Sequence, residues 1–170
     1  MPAQNRFGLI QEGILMNIIH QILINPIFIC SALGWFIAQV LKTIIYFIVN
    51  RQFVLERLIG NGGMPSSHSA TVCALATATG LTYGFQGFEF AMATFFAIIV
   101  MNDAMGVRLE TGKQAVVLND MMQLFKEMGR WDGKHPIEHL KEFVGHTPLQ
   151  ILVGAILGIC IAIAYCNLAI

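Results

Sequence analysis

The stretch IFICSALGWFIAQVLKTIIYFIV, residues 27–49, decides the fold. It is interrupted only by Gln39 and Lys42, and it supplies the roughly 20 residues that a helix needs to cross a bilayer. Residues 88–105 and 149–170 are two further apolar runs of similar length. The 170-residue chain is 56% hydrophobic and only 12% charged, whereas about a quarter of the residues in soluble domains are charged. The sequence therefore predicts an all-α integral membrane protein.

The segment between the first two runs, residues 69–85, is less apolar and rich in Ala, Thr and Gly. Small residues allow helices to approach closely, so we expect a fourth helix packed inside the bundle. Residues 80–84 (GLTYG) and 154–158 (GAILG) both fit the small-xxx-small pattern. Apolar residues at helical spacing in residues 1–25 predict a helix along the interface or a short additional span. Residues 26–170 are expected to form one helical membrane domain, giving about four to five spans in all.

Basic residues are distributed unequally between the two sides of the predicted bundle. Residues 50–68 and 106–148 share one side and carry eight lysines and arginines, whereas the other side carries only Arg6. The positive-inside rule places these two polar loops in the cytoplasm, so we expect a bacterial inner-membrane protein with a cytoplasmic site. The net charge of zero gives no indication of nucleic acid binding. The second loop is expected to hold an amphipathic helix, a turn over 129–136 and a short helix closed by Gly145.

The segment GNGGMPSSHSATV, residues 60–72, is the most polar stretch next to a predicted membrane helix. A glycine-rich turn that leads into a helix leaves unpaired backbone N–H groups and a positive dipole end, which together bind phosphate. Either Ser66 or Ser67 can cap this helix, and either hydroxyl can donate to an oxyanion. His68 falls in the first turn, where it can give a proton to a leaving oxygen. The alternative is an ordinary capped helix with a solvated histidine.

A second histidine, His146, precedes the last span on the same side of the membrane. The sequence Thr147, Pro148 and Gln150 fits a capping box, which leaves His146 free for chemistry. One histidine could attack phosphorus while the other protonates the departing alcohol.

Three charged residues fall near the same membrane face as the two histidines. A lysine within a span, such as Lys42, is costly, and an anionic ligand would offset that cost. Asp103 and Arg108 fall at the end of the third apolar run. The alternative is an ion pair of Asp103 with Arg108 or Lys42 that only holds the bundle together.

No metal or other cofactor is expected. HPIEH, residues 135–139, matches the H-x-x-E-H zinc pattern, but Pro136 and the charged surroundings favour a solvated loop, and no third ligand is evident.

Three segments, PSSHS, DAMGVR and LKEFVGHTP, together resemble the divergent bacterial and plant branch of the type 2 phosphatidic acid phosphatase superfamily. That superfamily is related to vanadium-dependent haloperoxidases, and the resemblance implies an all-helical membrane protein of the acid phosphatase and haloperoxidase type. It implies that Lys42, Ser66 and Ser67 hold phosphate oxygens. It also implies that His68 is the general acid and that His146 is the nucleophile, which forms a phosphohistidine without a metal.

The chain departs from the superfamily pattern at the expected arginines. The first motif has Arg seven residues after its Lys, where this chain has Val49. Arg51 can help only if the helix ends before it, so Arg108 is the better candidate for binding phosphate. Leu140 stands where the third motif has its Arg.

The most serious departure is Gln150. The superfamily has an acid four residues after the nucleophilic histidine, where a carboxylate orients the ring and stabilises its cationic form. The glutamine carbonyl can accept the same hydrogen bond but carries no charge. Glu142 or Asp103 are the candidates to replace the missing acid.

These residues predict an integral membrane phosphatase that hydrolyses a phosphate monoester or pyrophosphate on a lipid or similar amphiphile. The expected partners are membrane lipid and the phosphorylated amphiphile, and the small-residue faces would allow a homodimer. The alternative is a catalytically weak or inactive membrane protein that binds phosphate or phospholipid headgroups as a structural or transport-related partner. Gln150 is the residue that favours this alternative.

Overall fold

The computed structural model of the protein describes residues 3–51, 63–130, 139–140 and 145–169. These residues form an all-α structure in which six helices account for almost the whole described chain, and they contain no strand. The helices are α1 (Ala3–Leu23), α2 (Pro26–Asn50), α3 (Ser67–Tyr83), α4 (Phe88–Met105), α5 (Val107–Glu127) and α6 (Pro148–Ala169).

Three helical stretches are long and apolar enough to cross a membrane: Pro26–Asn50, Phe88–Glu127 and Pro148–Leu168. The second of these comprises α4 and α5, and its apolar part is α4. The prediction of an all-α membrane helix bundle is therefore confirmed. The apolar part of α1, Gly13–Leu23, is shorter than a span.

Helix α3 is the centre of the bundle, as the small residues of its sequence predicted. It packs against α2, α4 and α6. Its buried side chains are mostly small, including Ala70, Cys73, Ala74 and Ala78. Since small side chains let the neighbouring backbones come close, α3 fits among three larger apolar helices.

The GAILG segment of α6 is a close helix contact. A Cβ atom added to Gly154 would collide with the carbonyl oxygen of Ser66, and one added to Gly158 would collide with that of Ala70. GLTYG, by contrast, meets a neighbouring helix only through a side chain among its nearest contacts, since the ring of Phe90 in α4 lies against Gly80. Gly84 ends α3 with a φ of 90°, and a Cβ atom on Gly80 would meet the rings of nearby phenylalanines.

Replacing Gly158 with valine is expected to destabilise the bundle by about 1–3 kcal/mol, because α6 would have to move away from the α3 backbone. The measurement is thermal unfolding of the purified protein in detergent, followed by circular dichroism. Gly13→Val is the matched control, since a Cβ atom at Gly13 meets nothing within 4 Å. Equal unfolding temperatures for the two variants would contradict this close contact between α3 and α6.

The ends of α2 place its polar residues. Asn25 caps the helix by accepting hydrogen bonds from the N–H groups of Ile27 and Phe28 at 2.9 and 3.2 Å. At the other end Arg51 is the C-cap residue, with a φ of 54° in the left-handed region. The helix therefore ends before Arg51, as required if that side chain is to turn toward the site.

Helices α1 and α5 lie outside the central bundle of α2, α3, α4 and α6. Side chains 13–24, in and just after α1, are exposed, and α1 contacts only α2 among the helices. The predicted amphipathic helix is confirmed as α5, where the buried Asn119 exchanges two 3.0 Å hydrogen bonds with the backbone of Leu140. The turn predicted over 129–136 and the short helix predicted before Gly145 lie mostly outside the described residues, although Leu140 and its neighbour His139 are not helical.

Candidate active site

The start of α3 is fixed by Ser66, which is completely buried. Its Oγ accepts hydrogen bonds from the backbone N–H of Ser69 at 3.3 Å and from the hydroxyl of Ser69 at 3.1 Å. Its own N–H donates to the carbonyl oxygen of Gln150 at 3.1 Å, which joins α3 to α6. Ser66 is thus the cap of the helix, and the predicted phosphate contact of this side chain stays a prediction.

His146 is held between α4 and α6. The backbone N–H of His146 donates to the carbonyl oxygen of Ala104 at 2.9 Å, close to the end of α4. Gly145 has a φ of 95° and lies directly against the backbone of Leu109. A side chain at position 145 would therefore collide with α5. This tight backbone path leaves His146 only 2% exposed.

The two predicted histidines meet. Nδ1 of His68 lies 3.4 Å from Nε2 of His146, and the ring centroids are 5.6 Å apart with an angle of 62° between the planes. The two residues are 78 positions apart in the sequence. Only the packing of α3 against the segment before α6 brings them together.

Gln150 determines which nitrogen of His146 carries the hydrogen. Its Oε1 accepts a hydrogen bond from the N–H of Thr147 at 3.1 Å, and a backbone N–H can only donate, so this atom is the amide oxygen. The same oxygen lies 3.2 Å from Nδ1 of His146. Nδ1 must therefore be the donor, and in the neutral ring the lone pair is on Nε2, facing His68. Thr147 Oγ1 in turn accepts a hydrogen bond from the backbone N–H of Gln150 at 3.4 Å, which completes the predicted capping box.

Burial and the nearby positive charges together favour a neutral His146. Burial is the largest cause, and it lowers the pKa of His146 below its usual value. The hydrogen bond with Gln150 opposes this shift, while the positive charges of His68, Lys42 and Arg108 add to it. The charges of Arg108 and Lys42 also act on His68.

The cations themselves are held in different ways. Lys42 is buried in α2 at 3% exposure, with Gly63 packed beside its aliphatic chain. Nε of Arg108 donates to Oδ2 of Asp103 at 2.7 Å, which is the ion pair raised as an alternative from the sequence. Both side chains of that pair are nearly half exposed, so the pair contributes about 0–1 kcal/mol, and Arg108 can exchange Asp103 for another anion at little cost.

A cavity of about 650 Å³ lies beside His68, between α2, α3 and α4. Its charged and polar lining includes Ser67, His68, Asp103 and Arg108, which fall near the start of α3 and the end of α4. Its apolar lining lies further along the helices and includes Trp35, Val72, Phe96, Ile99 and Val100. The cavity thus joins a charged end to an apolar interior.

The other residues singled out in the sequence either lie outside the described residues or do not line the cavity. Glu142 and His135 lie outside the described residues. Within the part of the chain that the structure describes, no group of three His, Cys, Asp or Glu side chains could hold a metal ion. Arg51 is exposed, and so is Leu140, whose backbone pairs with Asn119.

Gln39 also lines the cavity, although the sequence interpretation gave it no role. Gln39 is 5% exposed, and its Oε1 has no hydrogen-bond partner among the described residues. Its only signal in the sequence is that it is one of two strongly polar interruptions in the first span.

The fold and the site define an all-helical membrane protein with two histidines in contact beside a partly charged cavity. The chain belongs to the Divergent PAP2 family, whose model matches residues 23–161. It is 37% identical over 150 residues to the uncharacterized membrane protein YuiD of Bacillus subtilis (strain 168), covering 84% of this chain and 95% of that protein. No solved structure gives a significant match.

Proposed function

We propose that the protein is a membrane phosphatase that hydrolyses a phosphate monoester or pyrophosphate of a lipid or similar amphiphile. The observation that carries this proposal is the 3.4 Å contact between His68 and His146, in which the lone pair on Nε2 of His146 faces His68. Two imidazoles at one anion site can divide the work of nucleophile and general acid. Membership of the Divergent PAP2 family supports the same reaction class.

The reaction would take place in two steps. Nε2 of His146 attacks phosphorus, the bond to the leaving oxygen breaks, and protonated His68 gives its proton to that oxygen. Water then attacks the phosphohistidine, His68 accepts a proton from the water, and phosphate leaves with His146 restored. Because the attacking and leaving atoms lie on opposite sides of phosphorus, the phosphoryl group has to enter between the two rings. His68 lines the cavity, so its ring is the one placed to turn aside.

The phosphate itself would be held by three sources of positive potential. The N-terminus of α3 offers its first N–H groups and its dipole, next to the Ser67 hydroxyl. Lys42 and Arg108 contribute full charges, and both act on the two histidines. Arg108 would exchange its ion pair with Asp103 for an ion pair with the phosphate. We place this site on the cytoplasmic side of a bacterial inner membrane, because eight basic residues fall in the two loops on that side.

A second candidate is a protein that binds phosphorylated headgroups with little or no turnover, as a structural or transport-related partner. The uncharged Gln150 at 3.2 Å from His146 favours it, because an amide stabilises a cationic ring less than a carboxylate does. This candidate predicts that phosphate or vanadate binds without any release of product.

Trapping of the intermediate tests the proposal against this alternative. The purified protein is incubated with ³²P-labelled lipid phosphate or pyrophosphate, quenched with detergent at alkaline pH and digested to locate the label. We expect a label that is stable in base, lost in acid and located on the peptide that contains His146. Binding of vanadate without label and without phosphate release from either substrate would favour the second candidate.

A further inference from the structure

The amide of Gln39 is the least explained polar group of the described bundle. It lies within an apolar span at 5% exposure, and its Oε1 has no hydrogen-bond partner among the described residues. A buried acceptor without a donor is destabilising, and native proteins rarely retain one without a reason. Because Gln39 lines the cavity beside His68, a bound ligand can supply the missing donor.

The position of Gln39 indicates which part of a ligand it would meet. Gln39 lies three positions before Lys42 on α2, a distance of about 4.5 Å along the helix axis. The direction from Lys42 to Gln39 leads away from the end of the bundle that carries the histidines. Trp35, one turn further in the same direction, belongs to the apolar lining. Gln39 therefore lies between the charged end of the cavity and its apolar interior, next to the atoms that link a phosphate to an apolar chain.

We propose that Gln39 is a specificity-determining residue, whose Oε1 accepts a hydrogen bond from a hydroxyl group of the leaving alcohol close to the phosphate. This inference rests on the proposed function for the identity of the ligand as a phosphorylated amphiphile. The preferred substrates are then phosphate esters of alcohols with a second, free hydroxyl next to the ester, and fully alkylated or deoxy analogues are poor ligands. A site built around a buried acceptor discriminates strongly against ligands that leave the acceptor unpaired.

Binding of two matched phosphonates tests this specificity without requiring turnover. One probe is the phosphonate analogue of hexadecyl glycerol phosphate, which keeps the free hydroxyl on the middle carbon. The other is the same molecule without that hydroxyl. For the unmodified protein in detergent we expect the hydroxylated probe to bind roughly ten- to a hundredfold more tightly.

The variant Gln39→Met keeps the volume of the side chain but removes the acceptor. We expect it to bind the hydroxylated probe as weakly as the deoxy probe and to bind the deoxy probe at least as well as the unmodified protein does. Gln86→Met, at an exposed residue between α3 and α4, is the matched control and should keep the full preference. Inorganic phosphate is a third probe, and its affinity should not change in either variant.

Three results would overturn the inference. The unmodified protein could bind the two phosphonates equally, which would reject the hydroxyl contact even if Gln39→Met failed to fold. Gln39→Met could weaken both probes by the same factor, which would indicate a structural role. A parallel loss of affinity for inorganic phosphate would indicate a contact with a protonated phosphate oxygen instead. Phosphate release from the corresponding esters is measured separately, so a preserved binding preference without release would reject the phosphatase and leave the role of Gln39 standing.

Discussion

Replacement of His146 with alanine is expected to lower phosphate release by at least about 10⁴-fold, because it removes the proposed nucleophile. The buried ring of His146 presents its Nε2 lone pair toward His68. The measurement is initial phosphate release from a lipid phosphate by the purified variant. The variant should also fail to form the base-stable label.

Two comparisons separate the loss of the nucleophile from a loss of fold. His20→Ala removes an exposed histidine of α1 and should leave phosphate release unchanged. His146→Ala should still bind vanadate, since the N-terminus of α3 and both cations remain. Added imidazole can occupy the space that the missing ring leaves, so partial recovery of activity is expected. Activity that persists in His146→Ala without imidazole would reject His146 as the nucleophile.

Replacement of Gln150 with glutamate is expected to raise the rate of phosphate release by about ten- to a hundredfold. The amide already holds Nδ1–H of His146 and the N–H of Thr147, so the correct tautomer exists before the substitution. A carboxylate accepts the same two hydrogen bonds and adds the charge that stabilises a cationic ring. In an enzyme whose amide holds the other tautomer of the histidine, a carboxylate would correct both the tautomer and the charge. Here only the charge is missing, so the gain in rate should be smaller.

The same substitution should move the acidic limb of the pH profile. Burial lowers the pKa of His146 in the unmodified protein, so the neutral, nucleophilic ring persists below the usual range and is lost only as the pH falls through that lowered pKa. A carboxylate at position 150 stabilises the imidazolium and raises this pKa. The acidic limb of Gln150→Glu should therefore lie at higher pH.

The control for added charge is Gln86→Glu, at an exposed position between α3 and α4, which should change neither the rate nor the profile. A faster Gln150→Glu enzyme with an unmoved acidic limb would show that His146 is not the group that titrates. If Gln150→Glu instead abolished release while still binding vanadate, the added charge would hinder the chemical step without preventing anion binding, and the proposed role of position 150 would be wrong.

Much of the candidate site was readable from local sequence. The capping box of Thr147 and Gln150, the cap at Ser66 and the ion pair of Asp103 with Arg108 all join residues within five positions of one another. The capping box follows from its spacing alone, whereas the sequence left either Ser66 or Ser67 as the cap and either Arg108 or Lys42 as the partner of Asp103, and the structure decided between them.

Other features depend on contacts between distant segments. The missing hydrogen-bond partner of Gln39 and the cavity that it lines are properties of α2, α3 and α4 together. A pattern of residue types contains neither fact. The two glycine motifs had the same spacing, yet GAILG lies directly against the backbone of α3, whereas Gly80 of GLTYG meets the ring of Phe90 in α4.

The sequence by itself determined that this protein is an all-helical membrane bundle, because runs of apolar residues can satisfy their backbone hydrogen bonds in lipid only as helices. It also determined the chemical types available, since an ionisable residue within a span, such as Lys42, is rare. Only the tertiary structure decided that His68 and His146 touch and that Gln39 opens onto a cavity. The physical reason is that helix packing, set by small residues at close contacts, fixes distances between residues that no spacing along the chain constrains.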